Sequence, residues 1–223
     1  MSEHWWTHTE QRSKLESVSI DTLRDLLEAA PPRRDIQEII LHHTWLPTAA
    51  QYRGRPTWEG IQGYHMEVRQ WSDIGYHAGV APDGTVWLLR PIMCGGAHTL
   101  NHNANSVGLV VLGNYDAGHD DPAQITKAAA RVTALLCKRY SLGPQDVYFH
   151  RDFANKTCPG TAIDRAAFRA QVAANIVVMP AAGDATRDVL VIEHATGVRL
   201  ETLKVVPGGD HVADQGKLYV VKQ

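Results

Sequence analysis

The chain has 223 residues, with 22 Lys and Arg against 24 Asp and Glu and a formal net charge of −2. Such a balance offers no basic field for DNA or RNA and excludes nucleic acid as a partner, and no apolar run approaches the ~18 residues needed to span a bilayer. A hydrophobic content of 44% supports a sizeable core, in one main domain with room for a small addition.

Residues 1–34 read as a polar arm followed by a short helix. Met1 to Glu10 hold Trp and His where a signal peptide would hold a basic start and an apolar stretch, so synthesis in the cytoplasm is expected. Trp5-Trp6 is expected to lie half-buried on the domain. Apolar residues at 20, 23, 26 and 27 share one helical face, capped by Ser19 or Asp21 and stopped by Pro31-Pro32.

The main domain is expected over residues 35–178. Asp35 to His43 ends in a continuous apolar run, as a buried strand does, and delivers His42 and His43 to its C-terminal end. Thr57 to Trp71 carries an imperfect helical stripe of Trp58, Ile61, Tyr64, Met66, Val68 and Trp71 after Pro56. Residues 75–81 and 85–90 flank Pro82-Asp83-Gly84, which predicts a hairpin. A long loop over 91–105 carries Cys94, His98, His102 and Asn105, and a second buried strand follows at Val107 to Leu112.

Asp121 to Tyr140 is predicted to be an amphipathic helix with Lys138-Arg139 in its last turn. Cys137 within it reads as a packing thiol. Asp146 to His150 is a short strand bringing His150 to its end, and Asp164 to Val178 closes the domain as a helix. Beyond a Pro- and Gly-containing linker, residues 184–223 suggest a small β appendage with strands near 189–192, 198–206 and 217–221.

Three cysteines in so long a chain do not form a disulfide framework, so free or metal-bound thiols are expected. Catalytic zinc takes three protein ligands and leaves a position for water. His150 and Cys158 lie in one loop, with Lys156 between them, and a third ligand could come from the distant strand end as His42 or His43. His65, His102 and His119 read as structural or surface residues.

Five ordered segments carry a resemblance: 39–44 (Ile-Ile-Leu-His-His-Thr), 73–77 (Asp-Ile-Gly-Tyr-His), 96–99 (Gly-Ala-His-Thr), 105–114 (Asn-Ser-Val-Gly-Leu-Val-Val-Leu-Gly-Asn), and His150 through Gly160. Across roughly residues 35–178 the sequence resembles the zinc-dependent N-acetylmuramoyl-L-alanine amidases, the group that includes phage lysozyme-type amidases and the peptidoglycan recognition proteins. The resemblance implies an α/β fold, a central mixed sheet flanked by helices, and one zinc per chain held by His42, His150 and Cys158. Successive strand residues face opposite ways, so His43 would then point elsewhere.

The resemblance further implies catalytic assistance from Tyr76 and Lys156: Lys156 can stabilise the oxygen that gains charge as water attacks the amide, typically by about 3 kcal/mol for one well-placed donor, and Tyr76 can hydrogen-bond either the attacking water or that oxygen. His98 and Asn105 fall where the family lines its groove and are substrate-binding candidates. The implied substrate is bacterial peptidoglycan, cleaved by zinc-activated water between N-acetylmuramic acid and the L-alanine of the stem peptide. Members that only bind peptidoglycan usually lack the cysteine ligand, and many animal members carry threonine at the Lys156 position. Cys158 thus points to an enzyme and Lys156 to the phage and bacterial branch; with no signal peptide read in the sequence, the expected setting is an endolysin that reaches the wall after release, with a cell's own cytoplasmic recycling amidase as the alternative. Two alternatives stand beside it: a non-hydrolytic peptidoglycan-binding module, and a cysteine hydrolase using Cys158 as nucleophile and His150 as base.

Overall fold

The computed structural model describes residues 12–30 and 34–178, together with four short strand segments further on. The chain divides into two compact units, 1–176 and 177–223. Trp5-Trp6, Pro31-Pro32 and most of the strands expected beyond residue 184 lie outside the described residues. In the second unit Asp188–Val189 pairs antiparallel with Leu203–Lys204, and Ala213–Asp214 with Lys217–Leu218.

The first unit is built on a six-stranded mixed sheet. In chain order its strands are β1 (Glu16–Val18), β2 (Glu38–His43), β3 (Ala78–Val80), β4 (Val86–Leu88), β5 (Ser106–Val111) and β6 (Val147–Phe149), and across the sheet they run β1-β4-β3-β5-β2-β6. β3, β5, β2 and β6 are parallel, while β4 pairs antiparallel with β3 on one side and with the edge strand β1 on the other. The buried centre is the parallel pair β2 and β5, whose apolar runs need both faces covered.

Four α-helices accompany the sheet: α1 (Ile20–Ala29), α2 (Arg55–Gly63), α3 (Ala123–Tyr140) and α4 (Arg165–Val178). Ser19 caps α1 by accepting the Thr22 N–H at 3.0 Å, and Leu23 and Leu27 are its buried stripe. Trp58 and Ile61 of α2 pack in one cluster with Val110, Leu112, Trp87 and Ile74. That contact needs Gly79 of β3, because a Cβ there would meet the Trp58 ring at 2.5 Å. Cys137 on α3 is fully buried, which pushes its thiol up to about 12, as suits a packing residue.

Two features depart from the sequence expectation. β1, Glu-Ser-Val, has no apolar alternation and is fixed only by pairing with β4. The stripe of α2 does not continue to Trp71: after Gly63 the chain widens into a π turn over Tyr64–Val68, with Arg69 N–H reaching back to the Tyr64 carbonyl at 3.1 Å. One extra residue in the turn rotates the face, so Tyr64 and Val68 stand 52% and 65% exposed.

Two arginines hold the irregular backbone next to the sheet. Arg34 donates to the carbonyls of Ile92, Asn103, Ala104 and Ser106, each at 2.9 Å. Arg90 donates to those of Ile74, Gly95 and Asp73 at 2.7 to 2.9 Å. Main-chain oxygens in and beside the 91–105 loop thereby gain side-chain donors.

Candidate metal centre

β2 and β6 run side by side with Leu41 opposite Phe149, so His42 and His150 leave the same edge of the sheet as neighbours. Their ring centroids are 4.6 Å apart. The loop after β6 then folds back beneath β2. Arg151 N–H donates to the Cys158 carbonyl at 2.8 Å, and its guanidinium donates to those of Gly160 and Ile163 at 2.7 and 2.8 Å. Asp116 accepts from the Thr157 hydroxyl and the Thr161 N–H, both at 3.1 Å. Gly160 has φ of +117°, and a Cβ there would stand 2.3 Å from the Tyr115 backbone.

This folding delivers Cys158 to the strand end. Its Sγ accepts the His43 N–H at 3.4 Å and stands 3.7 Å from Nδ1 of His42. One donor atom each from His42, His150 and Cys158 all lie within 4.8 Å of one another, and among the described residues no other group of three His, Cys, Asp or Glu side chains could hold a metal ion. Tetrahedral zinc with bonds of ~2.0 to 2.3 Å spaces its ligand atoms ~3.3 to 3.8 Å apart; the 3.7 Å between Cys158 Sγ and His42 Nδ1 falls in that range, and the donor set of two imidazoles and a sulfur suits such an ion. His43 points to the opposite side, where its Nδ1 accepts the Tyr115 N–H at 3.2 Å.

Burial sets the protonation of the three donors. It lowers His42 well below the ordinary imidazole value, with His98 and His150 adding to the effect, and lowers His150 to about 4, with Lys156 contributing. The Cys158 thiol is pushed up to about 12 by burial, against the opposing pull of the His43 N–H and Lys156. The set is therefore two neutral imidazoles with lone pairs available and one thiol whose proton must leave when a cation binds. A thiolate–imidazolium pair, which a cysteine nucleophile needs, is disfavoured by the same burial.

Tyr76 precedes β3 and places its ring 5.2 Å from that of His42. Burial raises its phenol above the ordinary range and keeps the hydroxyl protonated. Lys156 is exposed at the rim, and its charge acts on His42, His150 and Cys158 alike. His98 is only 8% exposed and turns its ring to His42, with Nδ1 of His98 at 3.1 Å from Nε2 of His42. Its place is behind the donor set, where Gly96 and Gly108 leave room for the ring, and not on an open groove. Asn105 sits before β5, bonding Gln37 N–H through its carbonyl at 2.8 Å. That is the Glu38–Ser106 end of the β2–β5 ladder, opposite the end where His42 pairs with Val110.

Beside Tyr76 opens a cleft of about 620 Å³, walled by the 44–53 segment and α2. Leu46 and Tyr64 on its walls are 56% and 52% exposed. Sequence reasoning passed over both, because Tyr64 falls within an apolar stripe that reads as core until the π turn shifts it outward. His65 also lines the cleft; its Nδ1 accepts the Gly75 N–H at 3.1 Å.

Residues 32–161 match the N-acetylmuramoyl-L-alanine amidase family, and the chain belongs to it. It is 36% identical over 105 residues to peptidoglycan-recognition protein SC2 of Drosophila melanogaster, covering 47% of this chain and 57% of that one. Over 129 residues it is 30% identical to the human N-acetylmuramoyl-L-alanine amidase, covering 56% of this chain and 22% of the relative. The chain thus spans little more than half the length of the first of these curated relatives and less of the second. Among solved structures, an N-acetylmuramoyl-L-alanine amidase from Clostridium intestinale superposes with a TM-score of 0.53 at 26% identity, over 63% of this chain and 87% of that one. The endolysin of a Thermus scotoductus bacteriophage gives 0.51 at 26%, over 61% and 84%. The mixed six-stranded sheet with helices is the fold these neighbours share. No described helix is long and apolar enough to cross a membrane.

Proposed function

We propose that the chain is a zinc-dependent amidase that cleaves peptidoglycan between N-acetylmuramic acid and the L-alanine of the stem peptide. The observation that carries this reading is the convergence of His42, His150 and Cys158 beside Tyr76. Family membership alone leaves hydrolysis open, because relatives include recognition proteins as well as amidases. A buried sulfur aimed at a histidine lone pair favours hydrolysis over binding alone.

When bound, zinc supplies Lewis acidity toward the amide carbonyl and lowers the pKa of a water to about 7. The chain's own residues supply the rest. The cleft beside Tyr76 receives the substrate and holds the scissile amide at the donor set. The Tyr76 hydroxyl, kept protonated by burial, donates to the oxygen that gains charge as water adds to the carbonyl carbon. The Lys156 ammonium lowers the energy of the same developing charge, and each such donor contributes about 3 kcal/mol when well placed. Collapse of the adduct expels the L-alanine nitrogen, which leaves as an amine after taking up a proton. No covalent bond to Cys158 forms, since its sulfur serves as a ligand.

Digestion of purified sacculi followed by mass spectrometry tests the reaction. The amidase reading expects stem peptides with new L-alanine amino termini and no new reducing sugar ends; binding without turnover would defeat it. Loss of activity on chelation with rescue by zinc is expected, whereas activity that survives chelation and tracks alkylation of Cys158 would favour the cysteine hydrolase. A lytic role after release, as in the phage endolysin it resembles in fold, is the setting this reading favours. Lysis of intact cells only after membrane permeabilisation checks it.

A further inference from the structure

We infer that His98 is a positioning residue for the metal centre: through it, a hydrogen-bond chain ending on a loop carbonyl fixes the tautomer of His42 that presents Nδ1 to the ion. The inference rests on the amidase reading of the site.

The chain of contacts is directional because its far end can only accept. The Ser106 hydroxyl donates to the His102 carbonyl at 2.6 Å. Having spent its only proton there, the Ser106 oxygen meets Nε2 of His98 at 3.3 Å as an acceptor, so that nitrogen carries the hydrogen. Nδ1 of His98 is then a lone pair, and it faces Nε2 of His42 at 3.1 Å. Nε2 of His42 must be the donor, which leaves Nδ1 of His42 as the lone pair facing Cys158 Sγ at 3.7 Å.

Thr99 fits the same direction. Its hydroxyl lies 3.3 Å from His42 Nε2 and 3.1 Å from His98 Nδ1, so it can accept from the first and donate to the second. The surroundings are shaped to this ring: a Cβ at either Gly96 or Gly108 would stand 2.4 Å from Cδ2 of His98. Asn103 secures the loop by accepting the His98 and Thr99 N–H groups at 2.8 and 3.0 Å. A ligand imidazole whose second nitrogen is tied to an acceptor loses less freedom on binding and is a stronger base toward the ion.

Two measurements test the inference. Two-bond proton–nitrogen spectra of the metal-free protein are expected to find His42 as the Nε2–H tautomer, and a mixture of tautomers in His98→Ala; finding Nδ1–H in the unaltered chain overturns the proposal. Zinc affinity by chelator competition is expected to fall about 10- to 100-fold in His98→Ala, with a smaller fall in Ser106→Ala and recovery in His98→Asn, whose oxygen can stand in for Nδ1. Ser106→Ala and the spectrum of the unaltered chain keep the test open should His98→Ala not fold. Zinc binding that is intact in the unaltered chain, lost in His42→Ala and unchanged in both His98→Ala and Ser106→Ala overturns this inference alone. Absence of zinc binding by the unaltered chain overturns it together with the amidase reading.

Discussion

Sγ of Cys158 stands 3.7 Å from Nδ1 of His42, although 116 positions of sequence separate the two residues. Apart from the His43 N–H, which Cys158 Sγ accepts at 3.4 Å, the two side chains are positioned by separate segments. His42 is carried by a buried central strand of the sheet, and Cys158 by a loop that Arg151, Asp116 and Gly160 fold against it. Substituting Cys158→Ser is expected to abolish stoichiometric zinc while leaving the fold intact, as read by metal analysis beside circular dichroism. Retention of one zinc per chain would remove Cys158 from the ligand set.

Zinc affinity should depend on pH with a definite sign. Above about pH 5 His150, lowered to about 4, is neutral, and so is His42, lowered by the same burial. The Cys158 thiol, pushed up to about 12, is protonated throughout the neutral range. Binding then releases one proton, so affinity rises about tenfold per pH unit between about pH 5 and 7, and more steeply above that as a zinc-bound water also ionises. Below pH 5 the slope steepens as the imidazoles also protonate. Isothermal titration in buffers of different ionisation enthalpy measures the proton count directly.

Stability of the metal-free protein should fall on mild acidification. His43, His65 and His150 are lowered from 6.5 to about 4 and His98 to about 3, all mainly by burial. Between these values and 6.5 the unfolded chain binds more protons than the folded one. The stability present above pH 6.5 is therefore lost as the pH falls toward 4. Thermal melts in that window should show a Tm that declines steadily; a flat Tm from pH 6.5 to 4.5 would contradict the burial of these rings.

Tyr76→Phe and Lys156→Met should each lower kcat by about 100- to 1000-fold without loss of bound zinc, because each removes one donor to the oxygen that gains charge. Release of L-alanine amino termini from a soluble muropeptide is the assay. A change confined to KM would assign the residue to substrate binding instead.

Gly160→Ala is expected to cost on the order of 2 kcal/mol, since φ of +117° disfavours a side chain and the new Cβ would meet the Tyr115 backbone. Chemical denaturation reads the loss. Because the same turn seats Cys158, zinc affinity should drop with it, whereas Gly84→Ala, at a positive-φ turn with nothing near its Cβ, should lower stability alone.

Much of this was legible in the residues. The apolar run ending in His42-His43 and the amphipathic pattern of α3 follow from local periodicity, and the His150 to Gly160 loop from its resemblance to the family, so their places in the fold could be read directly. What stayed hidden depends on distant partners. β1 has a polar sequence that only β4 makes into a strand, and the π turn at Tyr64–Val68 turned two apolar side chains outward. His98 could be assigned a groove by the resemblance of its segment to the family, yet its orientation is decided by contacts with His42 and Ser106, which no spacing encodes.

Arg34 grips the loop behind His98 entirely through main-chain oxygens. A guanidinium that meets this loop only at its carbonyls is indifferent to which side chains the loop displays, although outside the loop it also meets Nε2 of His77 at 3.1 Å. The path of residues 92–106 thereby owes little to its outward-facing side chains, and substitutions at exposed positions such as Leu100 and Ala104 can vary the outer surface without disturbing the histidine behind the metal centre. This part of the molecule can diverge freely in its surface chemistry while the geometry of His42 is preserved.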